Sequence, residues 1–389
     1  MKHDFDRIID RNGTESLKWV YPRKVLGVED AIPMWVADMD FEAPPEVVGA
    51  LTRRAAHGIF GYPIVPPTFW DAVIDWQRRR HGWGLSRTWL AKAPGVVPAV
   101  NFSVRAFTRP GDGIVVQTPV YFPFFDAVEN NGRKLVRNPL VLSDGRWIMD
   151  LDDLERKLDG VRMLILCSPH NPTGRVWTRE ELEALGELCA AHDVLVLSDE
   201  IHADVVFRGH RHLPFASLSP GLGNRTVTCI APSKTFNIPG LGMAVVVASD
   251  PALRAGFQSE AGRAGFELGQ IFGIVGLEAA YRHGGPWLDE LLVYLEDNTA
   301  FTEDFFRERL APIRFLRPEG TYLALLDCRD LGLEPEALND FFLNEARVYF
   351  NDGPIFGEEL RGFVRMNFAC PRSLLREALE RIAAALGRR

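Results

Sequence analysis

The feature that most constrains the fold is a regular alternation of short apolar runs with amphipathic segments between residues 90 and 250. The runs are rich in β-branched residues and occupy 113–117, 133–140, 163–167, 194–198, 226–230 and 244–248. A helical segment over 178–192 opens with Thr178 and has Glu181 three positions later, the pattern of a capping box. Strands that alternate with such helices predict an α/β fold, in which helices cover a mostly parallel sheet.

The pattern changes at both ends of the chain. Residues 1–45 are rich in Trp, Pro and Asp and show little periodicity. The elements predicted after about residue 286 are a long helix over 287–310, short strands over 321–326 and 363–368, and a last helix from about 372. We therefore predict a large α/β domain over 46–285 and a smaller α+β domain formed by 1–45 and 286–389 together.

Charge and hydropathy narrow the classes of partner. The 389 residues include 44 Lys and Arg against 52 Asp and Glu, a net charge of −8. A protein that binds nucleic acid needs a basic surface, so this balance argues against a nucleic-acid partner. The longest apolar stretches, such as 244–248, are far short of the roughly 18 residues of a membrane helix, and the first residues lack the apolar core of a signal peptide. We expect a cytoplasmic protein without a membrane partner.

Cysteines and isolated histidines give no sign of a metal site. The five cysteines are scattered and form no C-x-x-C, which fits a reducing compartment and excludes a zinc knuckle. His210 and His212 have no carboxylate or cysteine at ligand spacing. The three arginines at 78–80 and the neighbouring His81 predict an exposed helix face.

Polar side chains follow three of the predicted strands, at the edge where open α/β sheets bind ligands. Asn171 follows the first of them, Asp199 and His202 the second, and Lys234 the third. Taken singly, Asn171 could form only a turn, Asp199 a helix cap and Lys234 a surface lysine. Together, a partly dehydrated lysine with a lowered pKa and an acid that can protonate a pyridine nitrogen are what pyridoxal 5'-phosphate (PLP) requires.

Several motifs agree in order and spacing with those of a known family. They lie at 5–19, 33–41, 168–174, 198–204, 232–241 and 365–371. With these motifs the chain resembles the fold-type I PLP enzymes of the aspartate aminotransferase superfamily, and it is most similar to the MalY/PatB-type C–S lyases, or cystathionine β-lyases. The resemblance covers nearly the whole chain. It implies the fold of a PLP-dependent transferase, with a mostly parallel seven-stranded sheet in the large domain.

The resemblance implies roles for the residues that follow the strands. Lys234 would form a Schiff base with PLP, Asp199 would pair with the pyridinium nitrogen, and Tyr121 would stack on the pyridine ring. Asn171 would hydrogen-bond the phenolic oxygen of PLP, and His202 falls where the superfamily often has a tyrosine that contacts this oxygen. Lys234, Asp199 and Tyr121 are therefore the expected catalytic residues.

The resemblance also implies a substrate site and a homodimer. Arg365 would hold the substrate carboxylate with two parallel hydrogen bonds, helped by the backbone around Val36 and Ala37. Tyr62 resembles the superfamily tyrosine that reaches the phosphate of the neighbouring subunit. The active unit would then be a homodimer with shared active sites.

The site for the cofactor phosphate can be predicted from helix geometry as well. The segment 93–99 precedes a helix that we expect from about Pro98, and a helix N-terminus with free N–H groups binds anions. Val96, Val97 and Ala99 can supply N–H groups, whereas Pro98 cannot. Ser233 could add a hydroxyl.

One position differs from the usual aminotransferase pattern, and it bears on the choice between elimination and transamination. Many aminotransferases of the superfamily have a phosphate-binding arginine eight residues after the lysine, but this chain has Gly242 there, and the C–S lyase pattern also lacks the arginine. The resemblance therefore implies α,β-elimination of a small sulfur amino acid, L-cystathionine or another cysteine S-conjugate, to a thiol (homocysteine from cystathionine), pyruvate and ammonia. Transamination by the same lysine is the alternative. A PLP-binding regulatory protein with little catalysis is a third hypothesis.

Overall fold

The apolar runs in the middle of the chain form one seven-stranded sheet in the computed structural model, which describes residues 2–389. The strands are, in chain order, β1 (Ile32–Pro33), β2 (Leu90–Ala93), β3 (Gly113–Val116), β4 (Lys134–Arg137), β5 (Val141–Ser143), β6 (Arg146–Ile148), β7 (Val161–Cys167), β8 (Leu195–Asp199), β9 (Thr226–Ile230), β10 (Ala244–Val247), β11 (Arg314–Leu316), β12 (Leu323–Asp327), β13 (Val348–Tyr349), β14 (Asn351–Asp352) and β15 (Phe363–Asn367). The order across the large sheet is β2-β10-β9-β8-β7-β3-β4. Neighbours pair in parallel except for β10, which is antiparallel to β2 and β9. The prediction of a mostly parallel seven-stranded sheet is confirmed.

Helices alternate with the strands along the chain, and side chains cap the first turn of some of them. The α-helices are α1 (Leu17–Val20), α2 (Pro45–Ala56), α3 (Pro67–His81), α4 (Val96–Phe107), α5 (Pro123–Glu129), α6 (Leu151–Lys157), α7 (Arg179–Ala191), α8 (Pro220–Gly223), α9 (Pro251–Arg263), α10 (Ile271–His283), α11 (Gly285–Arg309), α12 (Pro335–Asp340) and α13 (Arg372–Leu386). The predicted capping box is present on α7, where the Glu181 N–H donates to the Thr178 hydroxyl and the Thr178 N–H donates to the Glu181 carboxylate. Among the described residues, no helix is long and apolar enough to cross a membrane.

Alternate residues of the central strands pack on opposite faces of the sheet, as the two-residue period of a strand requires. Ile114 and Val116 of β3 belong to a core that includes Val104 of α4. Val115, between them, belongs to a second core with Leu185 of α7. Because both faces are covered, the central strands are mostly apolar, and Asp199 is the last residue of β8.

The two chain ends meet in a smaller structure beside the large sheet. An antiparallel sheet has the order β11-β12-β15-β14, and the long helix α11 contacts α13. Strand β1 of the N-terminal segment pairs in parallel with β13, so that Ile32 lies opposite Val348. This pairing brings both ends of the chain together, while the boundaries predicted at residues 45 and 285 stay a prediction.

Candidate active site

A cavity of about 300 Å³ lies where β7, β8 and β9 end. The predicted site residues that line it are Val36, Ala37, Val96, Val97, Tyr121, Asn171, Asp199, His202, Ser233, Lys234 and Arg365. The parallel register of β7 and β8 pairs Cys167 with Asp199, so the residues that follow each strand meet at one edge of the sheet. The structure thus brings together every predicted site residue except Tyr62 and Ala99.

Lys234 and Asp199 are the charged pair at the centre of this cavity. The Lys234 Nζ donates a hydrogen bond of 2.7 Å to the Ala37 carbonyl. Burial lowers the pKa of Lys234 to about 8, although the negative charges of Asp38 and Asp199 oppose the shift. Burial raises the pKa of Asp199 to about 7, and its Oδ1 accepts a hydrogen bond of 3.0 Å from the Ile201 N–H. A lysine with such a pKa is neutral often enough to act as a nucleophile and a base.

Arg365 is buried and held by three acceptors. Its Nη1 donates to the Asn171 Oδ1 at 2.9 Å, and its Nη2 donates to the Trp35 carbonyl at 2.9 Å and to the Asn351 Oδ1 at 2.5 Å. The guanidinium also lies over the Phe356 ring, 4.6 Å from its centroid. Burial lowers the pKa of Arg365 to about 10, so the side chain remains a cation at neutral pH. None of these acceptors carries a charge, so the guanidinium can still bind an anionic carboxylate.

His202 offers the cavity a buried ring nitrogen that has no partner. Within residues 2–389 its Nδ1 makes no hydrogen bond. The ring packs edge-on against Tyr322, with 5.9 Å between the centroids. Burial lowers the pKa of His202 to about 3, and the positive charges of Lys234 and Arg365 act in the same direction, so the ring is neutral. Because buried polar atoms are normally hydrogen-bonded, this nitrogen indicates a missing ligand atom.

The N-terminus of α4 opens into the same cavity. Gly95 precedes the helix with a φ of +153°, a positive value that favours glycine. The N–H groups of Val96 and Val97 begin the helix and have no carbonyl one turn earlier to accept from them. The Ala99 N–H donates to the Gly95 carbonyl at 3.1 Å. The prediction for Ala99 is therefore wrong, because α4 begins two residues before Pro98.

Ser233 and Gly242 lie on the wall beside this helix. Gly242 has a φ of +56°, and a Cβ there would lie 3.3 Å from the Pro94 carbonyl oxygen and from the Gln270 Oε1. Backbone conformation and crowding both disfavour a larger residue at this position. Among the described residues that line the cavity, Arg365 is the one arginine. The end of the cavity near α4 thus offers backbone N–H groups and a hydroxyl rather than a guanidinium.

Tyr62 lies outside the cavity of its own chain. Its side chain is 93% exposed, in the loop between α2 and α3, beside the exposed side chains of Ile59, Phe60 and Ile64. Tyr62 therefore makes no contribution to the cavity of its own chain.

Two residues show what sequence reasoning missed or misassigned. Asn351 was not predicted, yet it contacts Arg365 across the pair β14–β15, a register that no local pattern reveals. The exposure predicted for His81 is wrong, since it is buried with its Nε2 2.8 Å from the Asp204 Oδ1. A sequence signal was available, because the apolar Phe69 and Val73 precede His81 at multiples of four residues and so lie on the same face of α3.

The cysteines contribute no metal or disulfide chemistry. All five are free and buried. Within residues 2–389, no group of three or more His, Cys, Asp or Glu side chains is arranged to hold a metal ion.

The groups that line the cavity fit PLP. Lys234 offers an amine for the cofactor aldehyde, and Asp199 offers a carboxylate without a cationic partner for a pyridine nitrogen. The N–H groups of Val96 and Val97 offer an anion site for the phosphate. The unpartnered Nδ1 of His202 can meet a polar ring substituent.

Residues 29–382 match the protein family described as aminotransferase class I and II. Since this match covers most of the chain, the protein belongs to the aminotransferase class I and II family.

The chain is also similar to individual proteins, both among sequence relatives and among solved structures. The chain is 46% identical over 385 residues to cystathionine beta-lyase PatB of Bacillus subtilis strain 168, a match that covers 98% of this chain and 100% of the relative. It is 34% identical over 387 residues to protein MalY of Escherichia coli K12, covering 98% of each. Cystalysin of Treponema denticola, a crystal structure with pyridoxal 5'-phosphate, superposes with a TM-score of 0.96 at 36% identity over 100% of both chains. The PLP-bound C–S lyase of Staphylococcus hominis superposes with a TM-score of 0.92 at 32% identity, over 99% of this chain and 98% of that one.

Proposed function

We propose that this chain is a PLP-dependent C–S β-lyase. It eliminates a thiol from L-cystathionine or another cysteine S-conjugate, and pyruvate and ammonia are the other products. The main support is that Lys234, Asp199 and Arg365 converge in one cavity of a chain that aligns over its whole length with cystathionine beta-lyase PatB. The crowded Gly242, at the position where many aminotransferases have an arginine, favours the lyase over transamination.

The cofactor would be held by groups from four separate parts of the chain. The N–H groups of Val96 and Val97 and the Ser233 hydroxyl would bind the phosphate, and the Asp199 carboxylate would bind the pyridine nitrogen. The Tyr121 ring, on the cavity wall, would stack on the pyridine ring. When bound, PLP supplies an electron sink that makes the Cα proton of an amino acid acidic.

Lys234 would perform the proton transfer. With the substrate carboxylate on Arg365, the neutral amine of Lys234 accepts the Cα proton, so a C–H bond breaks and an N–H bond forms. The electron pair of the broken C–H bond forms the second bond between Cα and Cβ, and the electron pair of the Cβ–S bond leaves with sulfur as a thiolate. Water then hydrolyses the remaining fragment to pyruvate and ammonia. The Ala37 carbonyl, 2.7 Å from Nζ, accepts a hydrogen bond from the ammonium that results.

The first test is incubation of the PLP-loaded protein with L-cystathionine and no keto acid, with pyruvate and free thiol measured together. We expect equal, catalytic release of both. Lys234→Ala should abolish turnover, whereas Lys24→Ala, at an exposed lysine, should leave it unchanged. Wild-type-like turnover by Lys234→Ala would refute the role of Lys234. Turnover that requires an added keto acid would establish transamination instead.

The functional unit would be a homodimer in which Tyr62 reaches the phosphate site of the partner. The exposure of Tyr62 and its apolar neighbours supports this arrangement. Loss of one hydrogen bond to a charged group costs about 1.5–3 kcal/mol, so Tyr62→Phe should weaken PLP binding at least about tenfold. A monomer in sedimentation, or unchanged PLP affinity, would contradict the arrangement. The cytoplasmic location stays a prediction of the sequence.

A further inference from the structure

The N-terminal motif contains a partly buried ion cluster that the proposed function does not yet use. This N-terminal ion cluster consists of Arg11, Lys18, Asp38 and Asp40. Lys18 is 1% exposed, and its Nζ lies 2.7 Å from the Asp40 Oδ2. Arg11 bridges both acids, at 2.9 Å from the Asp38 Oδ2 and 3.0 Å from the Asp40 Oδ1. The cluster therefore fixes the backbone from residue 38 to residue 40.

The backbone next to this cluster is the acceptor for Lys234. The Ala37 carbonyl accepts hydrogen bonds from the Lys234 Nζ at 2.7 Å and from the Tyr322 hydroxyl at 3.0 Å. The Asn367 amide donates to the carbonyls of Val36 and Asp38, each at 2.7 Å. Hydrogen bonds therefore hold the backbone on both sides of Ala37. The carboxylate of Asp38 is fixed one residue after the Ala37 carbonyl, which Lys234 contacts.

Asp38 has an oxygen whose role is unexplained. Its Oδ2 binds Arg11, but its Oδ1 is buried and has no hydrogen-bond partner within the described chain. A carboxylate oxygen without a partner is costly to bury, so it persists only where something else compensates for the cost. The charged groups that act on Lys234 are Asp38 and Asp199, which raise its pKa, and Arg365, which lowers it. Among these, Asp38 exerts the largest effect.

We propose that Asp38 is a positioning residue that stabilises the ammonium form of Lys234. The inference rests on the proposed function, in which Lys234 accepts the Cα proton. When the proton passes from Cα to Nζ, a positive charge forms beside the Ala37 carbonyl, and the fixed negative charge of Asp38 compensates for it. Arg11 holds the carboxylate in place. No oxidant or reductant is needed, because only a proton moves to the lysine.

The test measures the protonation of Lys234 in the full chain without cofactor or substrate. Trace acetylation by acetic anhydride, followed by peptide mass spectrometry over a range of pH, gives the midpoint at which Lys234 becomes reactive, with the exposed Lys24 as internal reference. Asp38→Asn keeps the shape of the side chain and removes its charge. We expect the midpoint of Lys234 to fall by about one pH unit, because a nearby opposite charge shifts a pKa by about 1–3 units.

Three further variants separate charge from folding. Asp38→Glu retains the charge and should restore a midpoint close to that of the wild type. Asp40→Asn removes another carboxylate of the same cluster, and it should lower the melting temperature while leaving the midpoint of Lys234 nearly unchanged. Arg11→Gln, at a side chain that is 22% exposed, removes the cation that faces Asp38 and should raise the midpoint.

The outcomes distinguish the inference from the proposed function. An unchanged midpoint in Asp38→Asn, or equal shifts in Asp38→Asn and Asp40→Asn, would overturn the role of Asp38. If Asp38→Asn does not fold, a midpoint in Arg11→Gln that does not rise would overturn it instead. Absence of elimination by the wild type would reject the proposed function, and it would leave the acetylation midpoints untouched. In the loaded enzyme, the acidic limb of the pH–rate profile should move with the midpoint of Lys234.

Discussion

The ionised carboxylate of Asp199 is expected to destabilise the cofactor-free protein above neutral pH. Burial raises the pKa of its carboxyl from 3.8 to about 7. The native state therefore binds the proton more tightly than the unfolded state does. This contribution to stability is fully present below pH 3.8 and is lost as the pH rises through 7. Asp199→Asn keeps the shape and can still accept the hydrogen bond from Ile201, so it removes this pH dependence with little other change.

The magnitude follows from the shift in pKa. A shift of about three units corresponds to about 4 kcal/mol, at about 1.36 kcal/mol per unit. Two of these three pKa units lie between pH 5 and the folded-state pKa near 7. On going from pH 5 to pH 8, the free energy of unfolding of the wild type should therefore fall by about 3 kcal/mol relative to that of Asp199→Asn.

Urea unfolding of both cofactor-free proteins at pH 5 and pH 8 measures this difference directly. The comparison between the two proteins cancels the titrating groups on which the charge of Asp199 does not act; the exception is Lys234, whose pKa Asp199 raises. With PLP bound, the cationic pyridine nitrogen would compensate for the charge of Asp199, so the loss should shrink in the wild type, while Asp199→Asn should bind PLP more weakly. Parallel changes of stability with pH in the two cofactor-free proteins would refute the reasoning.

Three other substitutions test separate parts of the site. Arg365→Lys loses the forked guanidinium and its Nη1 contact to Asn171, so the KM for a cysteine S-conjugate should rise about 10- to 100-fold in steady-state assays, while PLP absorbance is retained. An unchanged KM would count against a carboxylate on Arg365. His202→Phe removes a ring nitrogen and should weaken PLP binding about fivefold in equilibrium dialysis; unchanged affinity would contradict a contact with the cofactor. Lys18→Met removes one of the two cations that bind the buried Asp40, since Arg11 remains, and it should cost about 1.5–3 kcal/mol in urea unfolding. A loss under about 0.5 kcal/mol would contradict a stabilising role of the Lys18–Asp40 pair.

Features that depend on local pattern were predictable from the sequence. The run 226–230 coincides with β9, and the capping box at Thr178 and Glu181 is present on α7. The convergence of Asn171, Asp199 and Lys234 follows from the same patterns, because the residues after parallel strands meet at one edge of a sheet. The start of α4 was misplaced, since Pro98 is tolerated in the first turn as well as at its first position.

Features that depend on contacts between distant segments could not be predicted in this way. Asn351 reaches Arg365 through the register of two antiparallel strands, and the partner of His81 is Asp204, 123 residues further along the chain. The Asp38 Oδ1, which has no hydrogen-bond partner in the described chain, becomes buried only when the N-terminal segment folds against the turn that contains Lys234. Sequence spacing does not predict such contacts, because the distances between these side chains depend on the whole fold and not on the local pattern.

Burial shifts the pKa values of Lys234 and Asp199 in opposite directions, and this explains how one cavity can bring both groups to titrate near neutral pH. It disfavours the ammonium of Lys234 and lowers its pKa to about 8, and it disfavours the carboxylate of Asp199 and raises its pKa to about 7. The two values thereby come within about one unit of each other near neutral pH, although the ordinary values are 10.5 and 3.8. A bound cationic ring would restore the charge of Asp199 and leave the lowered pKa of Lys234, which is the combination that a proton-accepting amine requires. Asp38 then limits how far the pKa of Lys234 falls, so that the amine can still retain the proton it takes.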